Sequence, residues 1–337
     1  MFSFYRGANP YEEAARNENG RNATKKRRKL ICVSFQLVSE LNDDAFEMSD
    51  LGLLSYYLGI EVRQSSESIT LCQAVYARKI LEKLGMGECN PCSIPMEPRM
   101  KMSKHGNGEP VVDKTLYRSV IGSLCYLVNT RPDIAYSVGV MSRYMEAPTT
   151  SHLTAVKQIL RYVKGTLSFG CVYKKLSNVE LVGFSDSDMA GDIDDRKSTT
   201  RVLYYLGVNP ITWVSQKQKV VALSSCEAEY IATTAGTCQG VWLGRILSNI
   251  SQLQVKPKLN VDNKSVIGLA KNHVYHDRSK HIDTRFHFIR QCVQTEAIEL
   301  EYVNTDEQLA NILTKPLARQ RFLELREKIG LKKVDST

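Results

Sequence analysis

The chain has 337 residues, enough for about two domains of ordinary size, each able to bury its own core. Its 43% apolar and 24% charged residues are those of a globular protein and exclude disorder throughout, while a net charge of +9 favours a polyanionic partner without demanding one. No apolar run reaches the ~18 residues of a membrane span, because the best stretch, 120–140, is interrupted by Arg131, Pro132 and Asp133. The N-terminus lacks the apolar core of a secretory signal, so the expected location is intracellular, in cytoplasm or nucleus. The nine cysteines are scattered singly through apolar contexts and read as reduced core residues. Cys89 and Cys92 form a CxxC without a second pair at zinc spacing, so no structural metal is expected there.

Residues 1–45 are polar, without an apolar period, and are expected to be disordered; they include the basic run Lys25, Lys26, Arg27, Arg28 and Lys29, either a nuclear address, a nucleic-acid arm or a solvated tail. Glu40 to Phe46 carries a weak helical signal. Leu54 to Val62 and Ser68 to Cys72 alternate as two short strands, and Ala74 to Gly85 reads as a helix with Val75, Ala77, Ile80, Leu81 and Leu84 on one face. A linker rich in Pro, Gly, Lys and Met follows from Cys89 to Pro110. Three helices are then predicted over Tyr117 to Val128, Pro132 to Tyr144 and His152 to Lys164, the last capped by Thr150 or Ser151. This region reads as a helical packing module.

After Gly170 the pattern changes to short β-branched and aromatic segments. Val172 to Tyr173, Val179 to Ser185, Arg201 to Gly207, Ile211 to Val214 and Lys219 to Leu223 predict an antiparallel meander. A long helix from about Cys226 to Ile250, a strand at Lys258 to Val261, a helix at Lys264 to Lys271, a strand at Ile298 to Val303, and helices near Asp306 to Leu313 and Gln320 to Ile329 complete the order. Strands, helix, strand, helix, strand, helix predicts an α/β fold with one mixed sheet covered by helices.

Four polar residues sit at element boundaries: Asp186 at a strand end, Glu229 in the first turns of the long helix, Asp262 at the end of the next strand, and Asn311 in the helix after the last strand. Such positions can converge on one edge of a sheet, where clustered carboxylates require a cation, and oxygen-only ligands select magnesium or manganese. Acidic residues at strand ends are also common turn formers, so spacing alone leaves both readings open.

The blocks Phe184-Ser185-Asp186-Ser187-Asp188, Ser224 to Tyr230, Val261 to Ser265 and Glu307 to Lys315 resemble, in order and spacing, the four active-site blocks of the RNase H domain in copia-type retrotransposon Pol polyproteins. Asp194 to Thr199, His276 to Asp283, Asp50 to Val62, Tyr117 to Leu124 and Thr130 to Ile134 resemble further segments of that family, and the resemblance covers about 46–330. It implies an RNase H-like mixed sheet flanked by helices over 175–330, preceded over 46–170 by a smaller mixed and helical reverse transcriptase tail and connection. It also implies catalytic and metal-ligating roles for Asp186, Glu229, Asp262 and the position of Asn311. Glu229 is chosen over Glu227 because it precedes Tyr230. The implied cofactor is a pair of magnesium ions, manganese being an alternative, with no small-molecule cofactor and no membrane. The implied substrate is an RNA/DNA hybrid whose RNA strand is hydrolysed, and other products of the element are further implied partners.

The chain departs from the family at several places. Asn311 stands where the family usually has Asp, Met189 for Trp, Arg201 for Gly and Val261 for a common Cys. Arg201 puts a long charged side chain where none is usual. The reverse transcriptase motif Tyr-x-Asp-Asp is absent from these residues, so no polymerase activity is expected. His273, His276, His281 and His287 match no zinc spacing, and their basic surroundings point to phosphate. The expected nucleic-acid contacts are Lys217, Lys219, Arg278, Lys280, His281, Arg285 and Arg290. The alternative to a nuclease is a catalytically silent, nucleic-acid-binding remnant.

Overall fold

The computed structural model describes residues 53–98, 100, 102–104, 108–176, 179–271, 283–313 and 316–334. The N-terminal segment 1–45 lies outside the described residues, as do Glu40 to Phe46, His273, His276, Arg278, Lys280 and His281.

Where the sequence predicts one strand from Leu54 to Val62, the chain makes two, β1 (Tyr56–Tyr57) and β2 (Ile60–Gln64). Leu58 and Gly59 take positive φ values of 50° and 79°, and this two-residue turn pairs Tyr57 with Ile60. Next come β3 (Ser68–Cys72) and α1 (Ala74–Lys83), which buries Ala77, Ile80 and Leu81. The helix α2 (Lys114–Leu127) starts at Asp113, whose carboxylate accepts from the Thr115 N–H and satisfies one of the first-turn donors. Two 3₁₀ turns flank α3 (Ala135–Met141), and α4 (Thr150–Gly165) is capped one residue earlier than the sequence suggests, by Thr149 with His152 reaching back to its N–H.

Between the helices predicted to end at Val128 and to start at Pro132, Arg131 and Asp133 form a buried ion pair. Arg131 is 2% exposed, binds both carboxylate oxygens of Asp133, and donates to the carbonyl and hydroxyl of Thr166. Tyr162 donates to the same Asp133 at 2.6 Å, so every strong group in the cluster has a partner.

Val172 and Tyr173 do not join the later meander. They lie in β4 (Phe169–Lys174), antiparallel to β3, and the final strand β10 (Leu331–Lys333) pairs with β4 in turn. A Cβ at Gly170 would stand 2.5 Å from the Leu71 carbonyl oxygen, so this glycine permits the close backbone approach. The first sheet therefore has the order β1-β2-β3-β4-β10.

The second sheet has the order β7-β6-β5-β8-β9. Its strands are β5 (Leu181–Ser187), β6 (Thr199–Leu206), β7 (Asn209–Lys217), β8 (Lys258–Val261) and β9 (Glu299–Tyr302). β5, β6 and β7 form the expected antiparallel meander, while β8 and β9 run parallel to β5, giving the mixed RNase H-like sheet the sequence predicts. Lys219 to Leu223 is not a strand. Gln218 turns inward at 5% exposure and donates to Thr200, Ser187 and the Ala228 carbonyl, which ends the ladder and directs the chain toward the next helix.

One face of this sheet carries α5 (Ser225–Ser251). Tyr204 locks it in place: its hydroxyl donates to the Gly236 carbonyl at 3.0 Å, and its ring fills the space that a Cβ on Gly183 or Gly240 would take. Leu243 and Leu247 add buried side chains, each stabilising by about 1.5–3 kcal/mol. The opposite face is covered by the 3₁₀ segment Leu309–Leu313 and by α3, and Trp213 of β7 donates to the Val128 carbonyl at 3.0 Å. The remaining helices among the described residues are α6 (Lys264–Lys271), α7 (Asp283–Gln294) and α8 (Arg319–Lys328). The sequence reading did not place α7, although buried Ile289 and Cys292 at three-residue spacing mark its inner face. Leu51–Thr337 forms one compact unit, and among the described residues no helix is long and apolar enough to cross a membrane.

Candidate active site

The parallel pairing of β5 with β8 sets the register of the site. Ser185 lies opposite Val261, so Asp186 and Asp262 each follow one residue later and emerge side by side at the carboxyl ends of adjacent strands. Glu229 comes from α5. Ser224 caps that helix by accepting from the Glu227 N–H at 3.1 Å, and Glu227 answers by accepting from the Leu223 N–H at 2.7 Å. The cap consumes Glu227 and leaves Glu229, half a turn further on, to face the strand ends, a physical reason for the choice made from the sequence.

The ligand oxygens of Asp186, Glu229 and Asp262 lie within 4.8 Å of one another. The Ser187 N–H donates to both Asp186 (2.8 Å) and Glu229 (2.9 Å), and Thr305 Oγ1 donates to Asp262 at 3.2 Å. Asp186 and Glu229 are only 7% and 8% exposed. Burial raises the Asp186 carboxyl above its ordinary range, with Arg201 opposing the rise and Asp262 adding to it. Burial, followed by the neighbouring Asp186 and Asp262 carboxylates, pushes Glu229 up to about 9. Negative charge is thus crowded where few donors answer it. Three oxygens at these separations suit one divalent cation, and an all-oxygen donor set suits magnesium or manganese.

Asn311 is 7% exposed in the 3₁₀ segment, where its Nδ2 donates to the Thr305 carbonyl at 2.8 Å. That segment is anchored by Gln308, fully buried, which donates to the Ser185 carbonyl at 2.9 Å, next to Asp186. Gln308 and Gln218 both position the site and were not foreseen, because a glutamine in sequence gives no sign of burial.

Arg201 sits opposite Asp186 in the β5–β6 register. At 1% exposure, its guanidinium is 3.4 Å from Asp186 and 3.0 Å from Asp188. The basic residues assigned to nucleic acid fall into different settings. Lys217 is ion-paired to Asp192 at 2.6 Å and Asp195 at 2.8 Å, whereas Lys219 is exposed in the turn after β7. Arg285 and Arg290 are half-buried on α7, with Arg290 close enough to act on the Tyr230 hydroxyl.

Fold and site together define a mixed α/β protein with an RNase H-like sheet and a carboxylate cluster at its strand ends. Over most of its length the chain is similar to Pol polyproteins of copia-like retrotransposons. It is 41% identical over 290 residues to the retrovirus-related Pol polyprotein from transposon RE1 of Arabidopsis thaliana, which covers 86% of this chain and 20% of that protein. It is 40% identical over 306 residues to the Pol polyprotein from transposon TNT 1-94 of Nicotiana tabacum, covering 88% of this chain and 23% of that one. The chain thus spans about a fifth of the length of these curated relatives. Residues 34–98 match the family model for reverse transcriptase (RNA-dependent DNA polymerase). Among solved structures, the N-terminal RNase H domain of a Mycobacterium tuberculosis protein aligns over 44% of this chain and 98% of its own, with 15% identity and a TM-score of 0.31.

Proposed function

We propose that the second sheet and its helices form an RNase H-type endonuclease that hydrolyses the RNA strand of an RNA/DNA hybrid with divalent metal. The observation that carries the reading is the convergence of Asp186, Glu229 and Asp262 within 4.8 Å, from two strand ends and a helix start. Asp186, Glu229 and Asp262 would hold the cation, and Asn311 would offer a neutral carbonyl oxygen toward a second. When bound, magnesium supplies Lewis-acid activation of water and of the scissile phosphate. The chain's own part is positional: Ser187 orients two carboxylates through one N–H, Thr305 orients the third, and Gln308 holds the Asn311 segment against β5. Lys217, Lys219, Arg285 and Arg290 are the described basic residues assigned to the hybrid backbone, Lys217 while also ion-paired to Asp192 and Asp195, and the hybrid is read by groove shape and 2′-hydroxyls rather than by base sequence. We assign residues 46–170 as the tail and connection of a reverse transcriptase domain, with no polymerase activity of their own. Other products of the element are further proposed partners.

The test is cleavage of a labelled RNA/DNA hybrid by the purified chain in magnesium, with Asp186→Asn and Asp262→Asn as controls. Cleavage that disappears in both controls supports the nuclease. Hybrid bound but left intact by the unaltered chain contradicts it and favours a second reading, a silent nucleic-acid-binding remnant. The ion pair of Arg201 with Asp186 and the neutral side chain at 311 are the observations behind that second reading. Asn311→Asp restoring cleavage from zero would identify it.

A further inference from the structure

The side chain at 201 is placed by the sheet itself. Residues directly opposite in an antiparallel pair project to the same face with Cβ atoms about 4.5–5.5 Å apart. Asp186 and Arg201 are such a pair, so an arginine here necessarily directs its guanidinium at the strand end where Asp186 joins the carboxylate cluster. All eight residues of β6 are buried, and Arg201 at 1% exposure has no route to water. Its guanidinium meets Asp186 at 3.4 Å on one side and Asp188 at 3.0 Å on the other.

Asp188 is itself fixed in this role. One of its oxygens accepts from the Thr199 N–H, and the other lies where a Cβ on residue 191 would stand, so glycine at that position makes room for it. The arrangement is a built ion-pair site in which each partner is held from behind. A guanidinium cannot lose its proton in a protein, so its charge is permanent, and a divalent cation approaching Asp186 meets both its repulsion and an oxygen already engaged.

We propose that Arg201 is a resident counter-ion of the carboxylate site, standing in for part of the charge of a divalent cation and raising the metal concentration the site requires. This rests on reading Asp186, Glu229 and Asp262 as metal ligands. In its consequence, the folded chain tolerates its crowded carboxylates without metal, and metal must displace or outcompete the arginine at Asp186.

The experiment measures manganese binding by calorimetry and thermal unfolding with and without manganese, for the unaltered chain, Arg201→Gln and Arg201→Gly, all without nucleic acid. The expected result is binding at least about ten-fold tighter in the variants, a difference of about 1.4 kcal/mol. Their Tm falls in chelator and is recovered at about 0.1 mM manganese, while the Tm of the unaltered chain stays put at that concentration and rises only at about ten-fold more. Equal affinities in all three chains overturn the counter-ion and leave the metal site standing. Absence of binding in all three overturns the metal site as well. Should the variants fail to fold in chelator, the unaltered chain still decides: a Tm that rises at about 0.1 mM manganese contradicts a resident cation that keeps metal affinity low.

Discussion

Two clusters of buried carboxylates lie at the same end of the RNase H-like sheet and are treated in opposite ways. In the loop after β5, Asp192 is ion-paired to Lys217 at 2.6 Å and Arg143 at 3.2 Å and accepts from the N–H groups of Asp194 and Asp195. Burial alone would raise its carboxyl, yet the Lys217 hydrogen bond and the backbone N–H groups hold it at about 2. Asp194 next to it binds Ser103 and the Lys104 N–H, so the knot ties the loop to the linker ahead of the helices. A few residues away, Asp186 and Glu229 are equally buried and share one Ser187 N–H, and both carboxyls are pushed up. The first cluster answers every charge and serves folding; in the second a single guanidinium reaches Asp186 alone, and Glu229 and Asp262 are left to backbone and hydroxyl donors, which suits them to a cation. Carboxyls pushed up in one place and not in its neighbour are the pattern expected of a functional site, and the proposed nuclease rests on it.

The largest expected effect comes from breaking the satisfied cluster. Lys217→Ala leaves Asp192 and Asp195 without their shared ammonium and should lower stability by about 2 kcal/mol in urea unfolding, since hydrogen bonds to a charged group are among the stronger ones and Arg143 still reaches Asp192. An unchanged midpoint would mean that the knot is ornamental. Acid should act on the same cluster. A carboxyl depressed from 3.8 to about 2 contributes stability that is complete above pH 3.8 and disappears as pH falls through 2, here about 1–2 kcal/mol. Unfolding curves between pH 5 and pH 2 should therefore show a loss that Asp192→Asn flattens.

The two glutamates at the start of α5 sharpen the contrast on a smaller scale. Glu227→Ala removes the reach back to Leu223 and should cost about 1 kcal/mol, leaving hybrid cleavage little changed at temperatures where the chain is folded. A loss of cleavage without a loss of stability would reverse the roles of Glu227 and Glu229.

Much of this was legible in the sequence because it is local. Lys258–Val261 and Lys264–Lys271 carry the period of a strand and a helix at the bounds the structure shows, and Asp186, Glu229 and Asp262 stand at element ends where convergence is a natural outcome. Pairing between distant segments was not legible: nothing near Val172 says that its partners are Thr70 in β3 and, on the other side, the strand that ends the chain. Nor does a polar residue announce its burial. Gln218, Gln308 and Lys217 look like solvated side chains until the fold closes around them. Arg201 was conspicuous as a charge within a buried strand pattern, but its partner emerged only with the β5–β6 register.

We expect the carboxylate cluster to cost the fold stability and to serve metal-dependent cleavage. Glu229→Gln tests both halves at once, because it removes the group whose ionisation burial opposes while keeping the shape of the side chain. Hybrid cleavage in magnesium should be abolished, while the metal-free protein becomes more stable by about 1–2 kcal/mol in urea. A variant that still cleaves, or one that is destabilised without metal, would contradict the account.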